Sequence, residues 1–275
     1  MNAITQIKET DLSPSSNYLG SGKFGRVFAS KHNGNDVVYK IMKHGIGIRM
    51  FINELNILHS LQGHCGIVEL YGYTISSTKM MIIMEHAKGI TLTDLISYYD
   101  IAFMKMILIC RQIASTMIYM HSKNIIYCDM KPDNIMIDPE TYAIKVIDFG
   151  FSIQLDPTNT IVKGEPCGST GYIAPEVMFL GRFGTACDVY SFGVLLYVLQ
   201  TSNPPDRVSK MKSVLRMKYD RHIYKLFCQC TYNLPKHRPS FLQIYNTIIK
   251  LEKKINKHKK IYKNIQRYFC CFPST

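Results

Sequence analysis

The chain has 275 residues, 47% hydrophobic and 19% charged, with 33 Lys and Arg against 20 Asp and Glu for a formal net charge of +13. This is ample for a large core in one or two lobes, and the lack of any long polar or low-complexity tract excludes a disordered chain in favour of a folded unit of enzyme size. The longest apolar run, residues 189–199, falls short of the ~20 residues that span a bilayer and reads as a buried core helix.

Residues 252–275 hold seven basic groups and one acid. The rest of the chain is less basic, and that excess is expected to be spread over a solvated face. The nine cysteines are scattered, with no C-x-x-C pair to seed a zinc site. The start, MNAITQIKET, has neither the apolar run of a signal peptide nor a glycine after Met1 for myristoylation. An intracellular, reducing compartment, cytoplasmic or nuclear, with free thiols is therefore expected.

In chain order, residues 19–28 read as a strand, a glycine turn and a strand. The turn is Gly20-Ser21-Gly22-Lys23-Phe24-Gly25 with Val27 two residues on. Glycines there let backbone amides approach phosphate without Cβ clashes. A strand rather than a helix follows, which sets the turn apart from the dinucleotide folds, and no Ser or Thr follows Lys23, which excludes a Walker loop. Residues 36–42 form a third strand with Val37, Val38, Tyr39 and Ile41 on a pleated surface. In it Lys40 is a fixed positive charge suited to the α/β-phosphates. Residues 51–61 repeat Phe51, Leu55, Leu58 and Leu61 at helical spacing, and Glu54 in this helix is the natural ion-pair partner for Lys40. Two more strands at 67–74 and 79–84 complete a mostly antiparallel sheet.

From Leu92 the period changes. Residues 101–121 form a long helix, 134–137 and 144–147 two short strands, and 188–199, 223–230 and 241–255 further helices. A small β-rich lobe followed by a helical one places a crevice between them, where ligands bind. Tyr127-Cys128-Asp129-Met-Lys131-Pro-Asp-Asn134 supplies a proton acceptor in Asp129, a phosphoryl-neutralising cation in Lys131 and a hard oxygen for magnesium in Asn134. Asp148-Phe149-Gly150 adds a metal-bridging carboxylate. Ala174-Pro175-Glu176 closes the series.

These five ordered motifs resemble the eukaryotic protein kinase family from about residue 17 to residue 250. The resemblance implies an α+β, bilobal fold: an N-terminal extension at 1–16, a kinase domain at 17–251 with lobes 17–86 and 87–251, and a basic tail at 252–275. It implies ATP and Mg2+, with Gly20, Ser21, Gly22, Lys23, Phe24 and Gly25 covering the phosphates and Lys40 paired with Glu54. Leu19, Val27, Val38 and Met136 would sandwich adenine beside a gatekeeper Met84 and a hinge at Glu85–Ala87, with Thr91 or Asp94 near the ribose. Asp129, Lys131 and Asn134 would be catalytic, and Asn134 and Asp148 metal ligands. Glu176 would pair with Arg238, and Asp188 would hold the catalytic loop from below. His64 and His121 are read as packing or capping residues, not as bases.

Lys131 and Ser169 resemble the serine/threonine class, so protein serine and threonine hydroxyls are the expected substrates, with a monomer acting on them and no nucleic-acid partner. The stretch around Cys187 resembles the tyrosine-kinase-like and receptor-like branch, and a chain this short is compatible with a virus-encoded enzyme. Cys128 stands where most members carry the arginine that binds a loop phosphate, which implies a loop without that switch. A non-catalytic scaffold of the same fold would lack Lys40, Asp129 or Asp148, and all three are present. A small-molecule kinase is disfavoured by the Ala-Pro-Glu segment. In the tail, Leu251, Ile255, Ile261, Ile265 and Phe269 recur near helical spacing among lysines, ahead of Cys270 and Cys271. That pattern fits either a last helix packed on the large lobe or a helix lying on an anionic membrane.

Overall fold

The small lobe is a five-stranded antiparallel sheet in the order β1-β2-β3-β5-β4: β1 Asn17–Ser21, β2 Gly25–His32, β3 Asn35–Met42, β4 Leu70–Ile75 and β5 Met80–Glu85. The computed structural model describes residues 3–13, 17–45, 47–218 and 220–269, with 218 and 258–269 described as helical backbone alone. Between β3 and β4 runs α1, Ile48–Ser60, whose buried residues Phe51, Leu55, Ile57 and Leu58 seat it against the sheet. Lys40 sits in mid-strand, opposite Val27 on one side and Ile82 on the other. The sheet therefore fixes it from both flanks.

Residues 3–13 lie against the sheet. Tyr73 bonds the segment on either side of Gln6, with Ile7 N donating to Tyr73 O and Tyr73 N to Thr5 O. Ser30 Oγ donates to Ser13 O at 2.9 Å. Ile7 and Leu12 thereby cover Val37, Met81 and Ile83 on the sheet's outer face. A Cβ on Gly72 would lie 2.4 Å from Thr5 O, so only glycine lets the segment approach this closely.

The helical lobe begins with β6 Ile90–Thr91 and α2 Leu92–Tyr98, then α3 Phe103–Ser122, β7 Ile125–Ile126, β8 Ile135–Ile137 and β9 Ile144–Val146. The loop strands β10 Ile153–Gln154 and β11 Val162–Lys163 follow, with α4 Pro175–Leu180, β12 Arg182–Phe183, α5 Thr185–Thr201, α6 Val208–Lys218, α7 Arg221–Cys230 and α8 Phe241–Phe269. As the run 188–199 predicts, α5 is buried all round from Cys187 to Leu199. Gly193 lets α7 lie against it, since a Cβ there would come 2.7 Å from Cys230 Cβ. The helix α3 is long and apolar enough to cross a membrane, but in this fold it is a core helix packed on α8, with Ile107, Ile109 and Ile113 fully buried. α8 runs on without a break at residue 251, where Leu251 is buried and Ile255 packs on the core.

Candidate active site

A cleft of about 960 Å3 lies between the sheet and the helical lobe. It is lined by Leu19, Gly20, Ser21, Gly22, Lys23, Gly25 and Val27 of the glycine turn and its strands, and by Val38, Lys40 and Glu54 of β3 and α1. Met84, Glu85 and Ala87 line it at the end of β5, with Thr91, Asp94, Met136 and Asp148 beyond. Asp129, Lys131, Asn134 and Ser169 line it from the helical side. One residue expected here lies elsewhere. Phe24, 2% exposed, packs edge-on against Phe151 with centroids 4.6 Å apart and fits over Gly150, where a Cβ would come 2.3 Å from its ring. The turn folds down on the Asp148–Phe151 segment because Gly150 leaves a slot for the ring. Val68, Asp133, Ile147 and Phe151 also line the cleft without having been expected. Ile147 and Phe151 flank the Asp148 motif and were legible by position. Val68 sits before β4 with no local pattern to reveal it.

Three charged groups meet behind the turn. Lys40 Nζ donates to Glu54 Oε1 at 2.6 Å and to Asp148 Oδ1 at 2.8 Å, and Lys40 and Glu54 are buried. Burial alone would push Lys40 down, yet the two carboxylates outweigh it and hold the ammonium above its usual range. Burial pushes Glu54 up, against the pull of Lys40. Burial also acts to raise Asp148, but the charge and hydrogen bond of Lys40 and the Gly150 amide bring it below the usual carboxylate range. Asp148 has a φ of 57°, in the left-handed region, a strain of ~1–3 kcal/mol that the surroundings must fix. The same aspartate faces the glycine turn, where a Cβ on Gly22 would sit 3.7 Å from Asp148 Oδ2.

On the opposite wall the loop after β7 makes a sharp turn at Cys128, φ 66°. Asp188, fully buried at the start of α5, accepts from Tyr127 N at 2.9 Å and Cys128 N at 2.8 Å, and contacts His121 Nε2 at 2.9 Å. Those bonds pin a conformation that a β-substituted residue adopts unwillingly. Beyond the turn, Asp129 Oδ2 accepts from Asn134 Nδ2 at 2.7 Å and lies 3.6 Å from Lys131 Nζ, while Oδ1 accepts from Ser169 Oγ at 2.7 Å. The amide nitrogen of Asn134 is thus spent on Asp129, which leaves Asn134 its carbonyl oxygen.

Thr91 and Asp94 turn toward each other. They form a capping box on α2, with Asp94 N donating to Thr91 Oγ1 and Thr91 Oγ1 donating to Asp94 Oδ2 at 2.6 Å. Glu85 accepts from Lys145 Nζ at 2.6 Å and from Glu69 N, and its own N–H donates to Glu69 O at 2.8 Å. Gly89, φ 105°, has no room for a Cβ, which would fall 2.1 Å from Ile137 O. His64 accepts from Gly66 N and stacks on Tyr119, and burial pulls it below its usual value. It and His121 are structural.

The loop from Phe151 onward is held by backbone. β10 pairs with β7, Leu155 N donates to Asn124 O at 2.7 Å, and Ser152 Oγ donates to Tyr127 O. β11 pairs with β12, and Gly164 N donates to Gly181 O at 2.9 Å. Gly181 has φ 56°, and a Cβ there would strike Gly164 O at 2.1 Å. Cys128 offers the loop no charge. The Cys187 thiol and burial push its own thiol well above the usual range, and the two sulfurs and the Asp188 carboxylate lie within 4.8 Å of one another. The loop ends at Glu176, whose two oxygens accept from Arg238 Nη1 and Nη2 at 2.6 and 2.7 Å.

A family model described as protein kinase domain matches residues 15–264. Among curated proteins, the chain is 32% identical over 191 residues to the RasGEF domain-containing serine/threonine-protein kinase X of Dictyostelium discoideum, covering 68% of this chain and 20% of that protein. It is 31% identical over 212 residues to calcium-dependent protein kinase 4 of Plasmodium falciparum, covering 72% and 39%. It is 32% identical over 209 residues to the leaf rust 10 disease-resistance locus receptor-like protein kinase-like 1.1 of Arabidopsis thaliana, covering 72% and 33%. The chain thus matches well under half the length of each.

Proposed function

The chain belongs to the protein kinase family, and from that premise we propose that it transfers the γ-phosphoryl group of ATP to serine and threonine hydroxyls of protein substrates. The observation that carries this reading is the facing of two assembled sets across one cleft, Lys40 with Glu54 and Asp148 on one side and Asp129 with Asn134, Lys131 and Ser169 on the other. Gly20, whose missing Cβ would meet nothing within 4 Å, and Gly22 leave open the space that phosphates need beneath the turn. Lys40, fixed at both carboxylates, points a cation at the α/β-phosphates. Asp129 accepts the substrate hydroxyl's proton and aims its oxygen, and Lys131 neutralises charge on the moving phosphoryl group.

The carbonyl oxygen of Asn134 and the Oδ2 side of Asp148 are hard donors at the cleft, the type of oxygen set that Mg2+ takes. Asn134 and Asp148 would hold that ion, and it would supply positive charge to offset the phosphates. Asp148, held below its usual range, presents the ionised form such a site requires.

Substrate class rests on Lys131 and Ser169 beside Asp129. Hydrolysis of labelled products to phosphoamino acids is expected to yield phosphoserine and phosphothreonine. Phosphotyrosine as the main product would overturn the assignment.

Regulation follows from Cys128. With no arginine there, a loop phosphate has no anchor at that position, and the loop is held instead by the β10–β7 and β11–β12 pairs. Thr158 and Thr160 are exposed, yet phosphatase treatment is expected to leave activity unchanged. Gly181→Val should lower it, since a side chain at positive φ against Gly164 O costs ~1–3 kcal/mol and opens the ribbon. Activity abolished by phosphatase and restored by phosphorylation at either threonine would refute this.

A further inference from the structure

The positive charge of the chain is segregated. Residues 207–275 contain 17 Lys and Arg against two acids, while residues 1–206 contain 16 against 18. The expectation that charge outside the tail is spread evenly therefore fails. The excess lies on α6, α7, α8 and their connections. Neither acid dilutes it. Asp220 Oδ1 is spent on the amides of His222 and Ile223, capping α7, and Glu252 takes Arg111 of α3 at 3.0 Å. Arg216, Arg221, Lys225, Lys250, Lys254 and Lys257 are exposed, and among the described residues none has an ion-pair partner. Lys254 Nζ lies 3.3 Å from His222 Nε2, so α7 and α8 bring their cations onto one surface with no carboxylate between them.

The same stretch of chain exposes large apolar side chains, with Met217 next to Arg216 in sequence. Met217 at the end of α6 is 79% exposed, and Tyr232, Leu234 and Leu242 are at least half exposed. Lys212 shares a surface depression with Tyr232, Leu234 and His237. We propose that this face of the helical lobe docks on an anionic phospholipid bilayer. A membrane interface takes both kinds of side chain, the cations at the headgroups and the apolar ones below them. A nucleic-acid backbone would use the cations and leave Met217 and Leu234 in water. The sequence of α8 continues the same mixture, with Lys260, Lys263 and Arg267 interleaved with Ile261, Ile265 and Phe269. Those side chains, and Cys270 and Cys271, lie outside the described residues. The proposal does not depend on the reaction at the cleft.

The full chain should float with vesicles of phosphatidylcholine and phosphatidylserine, not with phosphatidylcholine alone, and release in high salt. At roughly fivefold per basic side chain, the triple variant Arg216→Glu, Arg221→Glu, Lys225→Glu should bind on the order of a hundredfold more weakly, with unchanged melting and unchanged phosphorylation of a soluble peptide. Met217→Gln, which leaves the charge intact, should weaken vesicle binding and leave duplex oligonucleotide binding as it was. Equal flotation with and without phosphatidylserine, equal flotation of the triple variant, or displacement from vesicles by an oligonucleotide at matched phosphate would overturn the proposal.

Discussion

Asp129→Asn is expected to lower turnover by ~10²–10⁴-fold, the contribution of a positioned general base. The geometry says why the loss should fall on chemistry and not on folding. The side chain is buried but bonded on both oxygens, from Ser169 Oγ at 2.7 Å and Asn134 Nδ2 at 2.7 Å. An asparagine keeps the shape and can still accept from Ser169. It sets its own amide nitrogen against that of Asn134, a donor facing a donor, so Asn134 must turn over. Asp129→Ala avoids that clash and leaves Asn134 its bond to Asp129 O. Both variants should melt close to the parent, and the alanine variant should retain nucleotide affinity by fluorescent-analogue titration. Asp148→Ala should lose that affinity, since it removes a partner of Lys40 and a hard oxygen together. Phosphorylation at the parental rate by Asp129→Asn and Asp148→Ala would mean that the catalytic assignments are wrong.

The parts of this fold that were legible in the sequence are those where one element buries a regular pattern. β1 to β5, α1 and α3 follow from strand-type runs or from 3.6-residue spacing, and α5 from an unbroken apolar run. What escaped did so for identifiable reasons. α2 is seven residues long, too short for periodicity, although its Thr91-x-x-Asp94 box was a written start signal. α6 buries Met211 and Leu215 one turn apart, but Lys210, Lys212 and Arg216 around them masked the stripe. The N-terminal segment anchors through Ile4, Ile7 and Leu12, too few and too irregularly spaced around a single 3-10 turn to show a period. β11 and β12 are two residues each, and their pairing depends on Gly164 and Gly181 meeting across the loop.

Within the site the same division holds. The residues whose chemistry is local to a motif fall at the cleft where the spacing puts them. Phe24 does not, because its place depends on a slot at Gly150, far along the chain, that no local pattern encodes. Thr91 and Asp94 reach the cleft yet bond each other, since a helix start needs a cap before a ligand needs a partner. Charge placement was missed for a simpler reason. A cut at residue 252 sets the tail apart but merges the basic stretch 207–251 with a near-neutral first part, which hides it.

Arg238→Ala is expected to cost ~3–5 kcal/mol, because it removes one partner of a buried ion pair and leaves the other. The Arg238 side chain is fully buried. It donates to both oxygens of Glu176, to Ala186 O at 2.9 Å and through Nε to Tyr232 O at 2.8 Å, and its guanidinium lies 5.1 Å from the Tyr190 ring centroid. Three separate segments therefore meet on one fork: the end of the loop at α4, the start of α5 and the turn after α7. A lysine cannot replace it, since a point charge makes neither the paired bonds nor the lateral ones, so Arg238→Lys should recover only part of the loss. For a chain of this size the alanine variant should melt ~6–20 °C below the parent. Replacing both members by apolar residues of similar volume should cost less than the single change, because no uncompensated carboxylate is left behind. A melting temperature for Arg238→Ala within ~2 °C of the parent would mean that water reaches Glu176 and that the fork does not tie the loop to the helical lobe.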